Sequence, residues 1–489
     1  MDDWLRAFVD ERGKISDLVS DDYWSLSPED CQKSISSAGN SAPGPNGIPY
    51  QAYKPVKALA AAVLHEYGEK LAQEGTLEQD LVQDFNQAWM AMLPKSATVD
   101  DPTLGPAYHP RDLRPLSIVD CYNRLMANTF NQKLVRVANE YIADTQRGFL
   151  PGRNILQNIL DMDLAALESW HKRNPDAIIL FDFAAAFPSL GHEYLWKCLR
   201  AIGIPEHVIR MYQSACHQDA TKGNKHKIRW KSGVFVCVEV TSGVRQGCPL
   251  SPVLFVLAIE PLIWMLAKKY SDSLYRAFAD DIGAVIKNIQ SRWPSIIQLF
   301  TRFGSFSNLV INQKKVVVVP LWTLNTDSDE VPSWLFASLW PLAKWDSKGK
   351  YLGVFLGPGA TPMDSYNGAL KKLQDRLSKW KGPHFSLFHK LELWNIYIIT
   401  LFSYVDQVFV QPLEVTEAIL KALKSFVGGA HGWIHPVGLA HLRSWYNFPG
   451  DLKSMSSNSP EDTCESVGTG LAPEFPSGFG IKIWSPFPG

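Results

Sequence analysis

The chain has 489 residues, 46% hydrophobic and 20% charged, which is ordinary for a globular protein and long enough for two to four subdomains with substantial cores. Its formal net charge of −1 is in tension with any role that holds phosphate backbones, so the distribution of charge matters more than its sum. Seven scattered cysteines without a C-x-x-C pair exclude zinc-knuckle spacing and read as reduced thiols of an intracellular protein.

Residues 1–40 form an acidic N-terminal segment, expected to hold one helix and a linker. The first 30 residues carry nine acids against three bases, so the body of the chain is more basic than its total suggests. The start, Met1-Asp2-Asp3-Trp4, is neither a signal peptide nor a transit peptide. Residues 41–175 read as largely helical, with apolar residues at helical spacing over 57–74 and 123–141 and a short strand region over 111–118. Residues 176–320 alternate: a strand over 178–181, helices over 192–203 and 251–269, a hairpin over 275–287, and a helix over 293–307. Such a mixture favours an antiparallel sheet with helices on one face, an α+β fold. The longest apolar stretch, 253–267, is broken by Glu260 and Pro261 and reads as a core helix, so no transmembrane segment is expected. Residues 321–365 are a loop-rich connection ending at a strand around Tyr351. Amphipathic helices follow over 366–435, and 436–489 is a Ser-, Pro- and Gly-rich tail expected to be poorly ordered. Two runs are basic: 221–231, with Lys222, Lys225, Lys227, Arg229 and Lys231, and 371–390, with Trp380 interleaved.

Chemistry concentrates in three places. Asp280 and Asp281 stand side by side in Ala277-Phe278-Ala279-Asp280-Asp281-Ile282-Gly283, between two apolar flanks that read as strands. Adjacent carboxylates among apolar residues repel each other, and a metal ion is the usual compensation. About a hundred residues upstream, the apolar strand Ile178-Ile179-Leu180-Phe181 ends in Asp182, followed by Phe183-Ala184-Ala185-Ala186-Phe187. A third acid at a strand end is what two-metal phosphoryl transfer requires, with the ions about 3.5–4 Å apart. Between them, Ser242-Gly243-Val244-Arg245-Gln246-Gly247-Cys248-Pro249 is a Gly/Pro-punctuated loop running into a helix.

Together these blocks resemble the reverse transcriptase domain of non-LTR, LINE-like retrotransposons, and they stand in that family's order. Ser41-Ala42-Pro43-Gly44-Pro45-Asn46-Gly47-Ile48 resembles its opening block, Leu113-Arg114-Pro115-Leu116-Ser117-Ile118 its R-P-I-S-L strand, and Gln146-Arg147-Gly148-Phe149-Leu150-Pro151-Gly152-Arg153-Asn154 its Q-x-G-F-x-P-G-R-S block. The Asp182 strand, the Gln246 loop and Phe278-Ala279-Asp280-Asp281 resemble the first three palm motifs. Leu309-Val310-Ile311-Asn312-Gln313-Lys314-Lys315 and Lys350-Tyr351-Leu352-Gly353-Val354 resemble the fourth and fifth, and Arg376-Leu377 with Trp380-Lys381-Gly382 the start of the thumb.

The resemblance implies a right-hand polymerase: fingers over 41–175, palm and connection over 176–365, and a helical thumb over 366–435. It implies two Mg²⁺ ions, with Mn²⁺ as an alternative, held by Asp182, Asp280, the Phe183 carbonyl and, at longer range, Asp281. Arg114, with Arg111 as a second candidate, would reach the incoming triphosphate, since guanidinium matches phosphate oxygens. Phe187 stands where the family places a ring under the nucleotide sugar, which would exclude a 2′ hydroxyl and select deoxynucleoside triphosphates. Gln246 and Gly247 would floor the nucleotide and template base. Lys315, with Lys314 adjacent, matches the lysine that protonates the leaving pyrophosphate. The basic thumb run would grip the template–primer duplex, and the Tyr351-Leu352-Gly353 turn would lie under the primer end. Pro188 departs from the family by standing where an acid often follows the aromatic.

The function so implied is an RNA-directed DNA polymerase that extends a DNA primer on an RNA template, intracellular, without membrane attachment, and nuclear if active. The alternative is a decayed copy or a nucleic-acid-binding module without polymerase activity. With neither an endonuclease upstream nor a ribonuclease H acid set downstream in this sequence, the expectation is the polymerase portion of an element or a truncated copy.

Overall fold

A computed structural model describes residues 1–72, 85–95, 99–101, 103, 105–109, 112–216, 224–230, 233–324, 332–336, 338–380 and 385–427. Arg111 and the tail expected over 436–489 lie outside them. The chain divides into two compact units: residues 1–158, 179–317 and 332–344, and residues 159–178, 318–331 and 345–489.

In the first unit the acidic N-terminus is part of the core. The helix Asp2–Arg12 buries Trp4, Leu5, Phe8 and Val9 along one stripe. Phe8 meets Tyr141 and Trp264 edge-on, and Trp4 packs on Phe303 and Phe306. Two acids in its first turn complement the helix dipole. A second helix, Pro28–Ser37, starts with a capping box: Ser27 accepts from the Asp30 N–H while Asp30 reaches back to the Ser27 N–H. It packs on the helices Lys57–Ala72 and Cys121–Tyr141.

A four-stranded sheet runs in the order Leu113–Val119, Ala88–Pro94, Asn224–Trp230, Gly233–Val240. Ala88–Pro94 pairs antiparallel with Leu113–Val119, placing Leu93 opposite Arg114, and parallel with Asn224–Trp230. Only the strand near 111–118 was legible in the sequence. Ala88–Pro94 is too uniformly apolar to show a strand's alternation, and Asn224–Trp230 falls within the basic run.

The second sheet has the order Lys344–Trp345, Val317–Pro320, Ala177–Phe181, Asp281–Ile286, Leu274–Phe278. Every residue of Ala177–Phe181 is buried, as befits an interior strand. The hairpin Leu274–Phe278/Asp281–Ile286 pairs Phe278 with Asp281, leaving Ala279 and Asp280 as its loop. Thus Asp281 opens the return strand, whereas the sequence suggested both acids in the turn. The helix Ser251–Lys269 is long and apolar enough to cross a membrane, but 72% of its apolar window is buried in the fold, as expected of a core helix.

In the second unit, Gly349–Tyr351 and Val354–Leu356 form a hairpin turned by Leu352 and Gly353, both at positive φ. Tyr404 Oη donates to the Leu352 carbonyl at 2.6 Å. The helix Pro362–Lys379 begins with a Thr361/Asp364 capping box, and Tyr366 Oη donates to Asp406 Oδ1 at 2.8 Å. Two bases of the 371–390 run are engaged within the unit, Arg376 with the Tyr397 carbonyl and Lys390 with that of Val427.

Candidate active site

Asp182 follows directly on the buried strand Ala177–Phe181, so its backbone is anchored while its side chain keeps 30% exposure. The Asn312 N–H donates to the Asp182 carbonyl at 2.8 Å and the Ala184 N–H to that of Val310 at 2.8 Å. Phe183, bridged to Ile311 between these two bonds, therefore turns its carbonyl away from that pairing. The same pairing brings the Gln313–Lys315 turn over Asp182. Lys315 Nζ lies 3.2 Å from Asp182 Oδ2 and 3.3 Å from Oδ1. Asp182 Oδ2 is otherwise shielded, with no well-formed hydrogen bond.

Asp280 and Asp281 share this electrostatic neighbourhood. The Asp280 carboxyl is pushed up by desolvation and by Asp182, against the lowering influence of Arg114 and Lys315. Asp281 keeps solvent contact along its edge, yet desolvation and the Asp280 and Asp182 carboxylates raise it to about 6, with Lys315 opposing. With Asp280 and Asp281 both raised beside Asp182, and with Lys315 and Arg114 as the opposing cations among the described residues, the site favours added positive charge.

Among the described residues no three His, Cys, Asp or Glu side chains gather into a ready metal cage. The donor set still fits Mg²⁺, which is usually held by one or two carboxylates completed by substrate phosphates and water. Asp182 with its shielded Oδ2, Asp280 and the outward Phe183 carbonyl supply hard oxygen donors of that kind.

Phe187 is held rigidly. Its ring stacks on Phe255 at 4.5 Å and 10°, and Phe149 meets it edge-on at 6.1 Å. Its carbonyl accepts from the Val244 N–H at 2.8 Å, and the Pro188 carbonyl accepts from Ser242 Oγ at 3.1 Å. Gly243, at φ 84, approaches so closely that a Cβ there would lie 2.4 Å from the Pro188 oxygen. The Gln246 loop is thereby tied to the turn that carries Phe187. It is also tied to the Arg114 strand: the Ser117 N–H donates to the Gln246 carbonyl at 3.0 Å. Gly247, at φ 104, leaves room for the Ser117 carbonyl, which a Cβ would approach to 2.8 Å.

Among the residues singled out in the sequence, Asp182, Asp280, Asp281, Lys315 and Arg114 thus meet electrostatically, and Phe187, Gln246 and Gly247 are linked by backbone bonds. Gln146 and Gly148, which stood only as letters of a motif block without a role, both touch the aspartate hairpin. Their Gln-x-Gly spacing was visible; their target was not.

The family profile described as "Reverse transcriptase (RNA-dependent DNA polymerase)" matches residues 94–356, more than half of the chain. The chain belongs to the reverse transcriptase family. The α+β right-hand polymerase class expected from the sequence holds. The chain is similar, at 25% identity over 439 residues, to the Retrovirus-related Pol polyprotein from type-2 retrotransposable element R2DM of Drosophila melanogaster, covering 82% of this chain and 38% of that protein. It is 27% identical over 298 residues to the Transposon TX1 uncharacterized 149 kDa protein of Xenopus laevis, covering 56% of this chain and 21% of the relative. The chain thus spans well under half the length of these relatives. Such retrotransposon relatives agree with the non-LTR character of the motifs. Among solved structures, apo telomerase from Candida tropicalis truncated from its C-terminal domain superposes with a TM-score of 0.38 at 11% identity, over 63% of this chain and 65% of that one.

Proposed function

We propose that this reverse transcriptase domain is catalytically active, extending a DNA primer on an RNA template with deoxynucleoside triphosphates. What carries the proposal is the convergence of Asp182, Asp280 and Asp281 with Lys315 and Arg114, together with a ring at Phe187 that is stacked on Phe255. Residues 41–175 serve as fingers, 176–365 as palm and connection, and 366–435 as thumb.

Asp182, Asp280 and the Phe183 carbonyl would hold Mg²⁺, with Mn²⁺ as a substitute and Asp281 at longer range; the metal would supply activation of the primer 3′ hydroxyl and charge neutralisation at the pyrophosphate. Arg114 offers its exposed guanidinium to the triphosphate and lies near enough to Asp280 to lower that carboxyl. Lys315 pairs with Asp182 in the free protein and, on an exposed side chain, is the candidate proton donor to the leaving pyrophosphate. Phe187, stacked on Phe255 and met edge-on by Phe149, has neighbours that oppose its movement away from a 2′ hydroxyl and no polar atom to receive it. Gln246 and Gly247 present backbone and amide to the nascent base pair.

Purified protein with Mg²⁺, deoxynucleotides and an RNA template annealed to a DNA primer should extend the primer, and the Asp280→Ala/Asp281→Ala double variant should not. Failure of well-folded wild type to extend a duplex that it binds would leave a nucleic-acid-binding module instead.

A further inference from the structure

We infer, on the strength of the polymerase function proposed above, that Gln146 is a positioning residue whose carboxamide fixes the hairpin carrying Asp280 and Asp281. Ala279, the first loop residue of that hairpin, sits at φ 58, a left-handed backbone that alanine adopts reluctantly. A strained loop keeps its shape only when its surroundings over-determine it. Here the Ala279 N–H donates to Gln146 Oε1 at 2.9 Å, and the Ala279 carbonyl accepts from Gln146 Nε2 at 3.1 Å. The same Oε1 accepts from the Gly148 N–H at 2.9 Å. One side chain therefore grips both backbone polar groups of the residue that precedes Asp280.

Two further observations point to the same contact. A Cβ on Gly148 would stand 2.3 Å from the Ala279 nitrogen, so glycine is needed for the two segments to approach this closely. Around the grip, Gln146 bridges Ala277 in parallel: the Ala277 N–H donates to Thr145 at 2.7 Å and the Arg147 N–H to Ala277 at 2.9 Å. Gln146 is itself fixed, its carbonyl accepting from Arg153 Nη1 at 2.7 Å. Being fully buried, Gln146 acts through the hairpin and not on substrate. A glutamate would keep the two accepted bonds, lose the donor to Ala279, and add a carboxylate beside acids that already repel one another.

The test compares wild type with Gln146→Met, Gln146→Glu and Gln146→Met/Ala279→Gly, by thermal melting, by calorimetric titration of the apo protein with Mn²⁺, and by kcat and KM for a deoxynucleotide in primer extension. Gln146→Met should lower Mn²⁺ affinity and kcat by about 10- to 100-fold, the usual effect of disturbing a ligand's support, while KM holds. Ala279→Gly, which relaxes the left-handed loop, should restore part of both losses. Gln146→Glu, which keeps two of the three bonds, should fold yet show the same split between kcat and KM. Mn²⁺ affinity and kcat equal to wild type in folded Gln146→Met or Gln146→Glu would overturn the assignment. A wild type that neither binds Mn²⁺ nor extends would overturn the polymerase function, and this assignment with it.

Discussion

Lys315 holds its ammonium 3.2 Å from Asp182 Oδ2, in the position a metal cation would contest. The lysine side chain is 63% exposed, so its bond to the aspartate is easily exchanged. Replacing it with methionine should leave Asp182 without its counter-charge. Mn²⁺ binding to the apo protein, followed by calorimetry, should then tighten by about two- to fivefold, the worth of an exposed ion pair. Primer extension should slow by about a hundredfold or more, as for a missing general acid. Unchanged Mn²⁺ affinity would show that lysine and metal do not compete.

Asp280 presents the opposite balance of stability and activity. Its carboxyl is pushed up by burial and by Asp182, so the ionised form is disfavoured in the folded chain, and stability falls as pH rises through its folded-state titration. Asp280→Asn should therefore melt higher than wild type at pH 8 while extension drops by about a hundred- to thousandfold. A variant that melts lower at pH 8 would contradict this account.

The brace behind the proposed sugar-facing ring of Phe187 can be loosened without touching the nucleotide. Phe255 stacks on Phe187 at 4.5 Å, and Phe255→Leu, which removes ring volume from a buried position, should cost about 1–2 kcal/mol in stability. Incorporation of ribonucleotides relative to deoxynucleotides should rise in this variant, and rise further in Phe187→Val. Selectivity unaffected by Phe255→Leu would mean that Phe187 needs no brace.

Glu260 sits in the core helix at 1% exposure, its Oε1 accepting from the Ala143 N–H at 3.1 Å. Burial raises it from 4.5 to about 7, against the pull of that N–H and of Arg12 and Arg153. The folded chain keeps this proton when the unfolded chain has lost it. The resulting stability is fully present below pH 4.5 and is lost progressively as pH rises towards 7, by about 3 kcal/mol in all. Glu260→Gln, which mimics the protonated form, should flatten this slope and melt higher than wild type at pH 8. Parallel melting curves for the two proteins across that range would refute it.

The site was legible because its acids end or begin strands that the apolar pattern marks, and a strand's last residue points where its sheet opens. What the sequence concealed was partnership. Lys315 and Asp182 are 133 positions apart, as are Gln146 and Ala279, and only tertiary pairing reveals either contact. Pattern also failed where it was uniform or masked: Ala88–Pro94 lacks alternation, and Asn224–Trp230 reads as a charged run. The acidic beginning read as one helix and a linker, with charge dominating its composition, and its anchoring in the core by Trp4 and Phe8 was not legible.

Arg153 carries a lesson about salt. Its guanidinium donates to the carbonyls of Asn139, Ile142, Ala143 and Gln146, at 2.6–2.8 Å. A charge inventory would credit this arginine to nucleic acid. Yet with its donors committed to backbone, it displaces no counterions from a phosphate chain, and the ionic-strength dependence of template binding has to come from other cations.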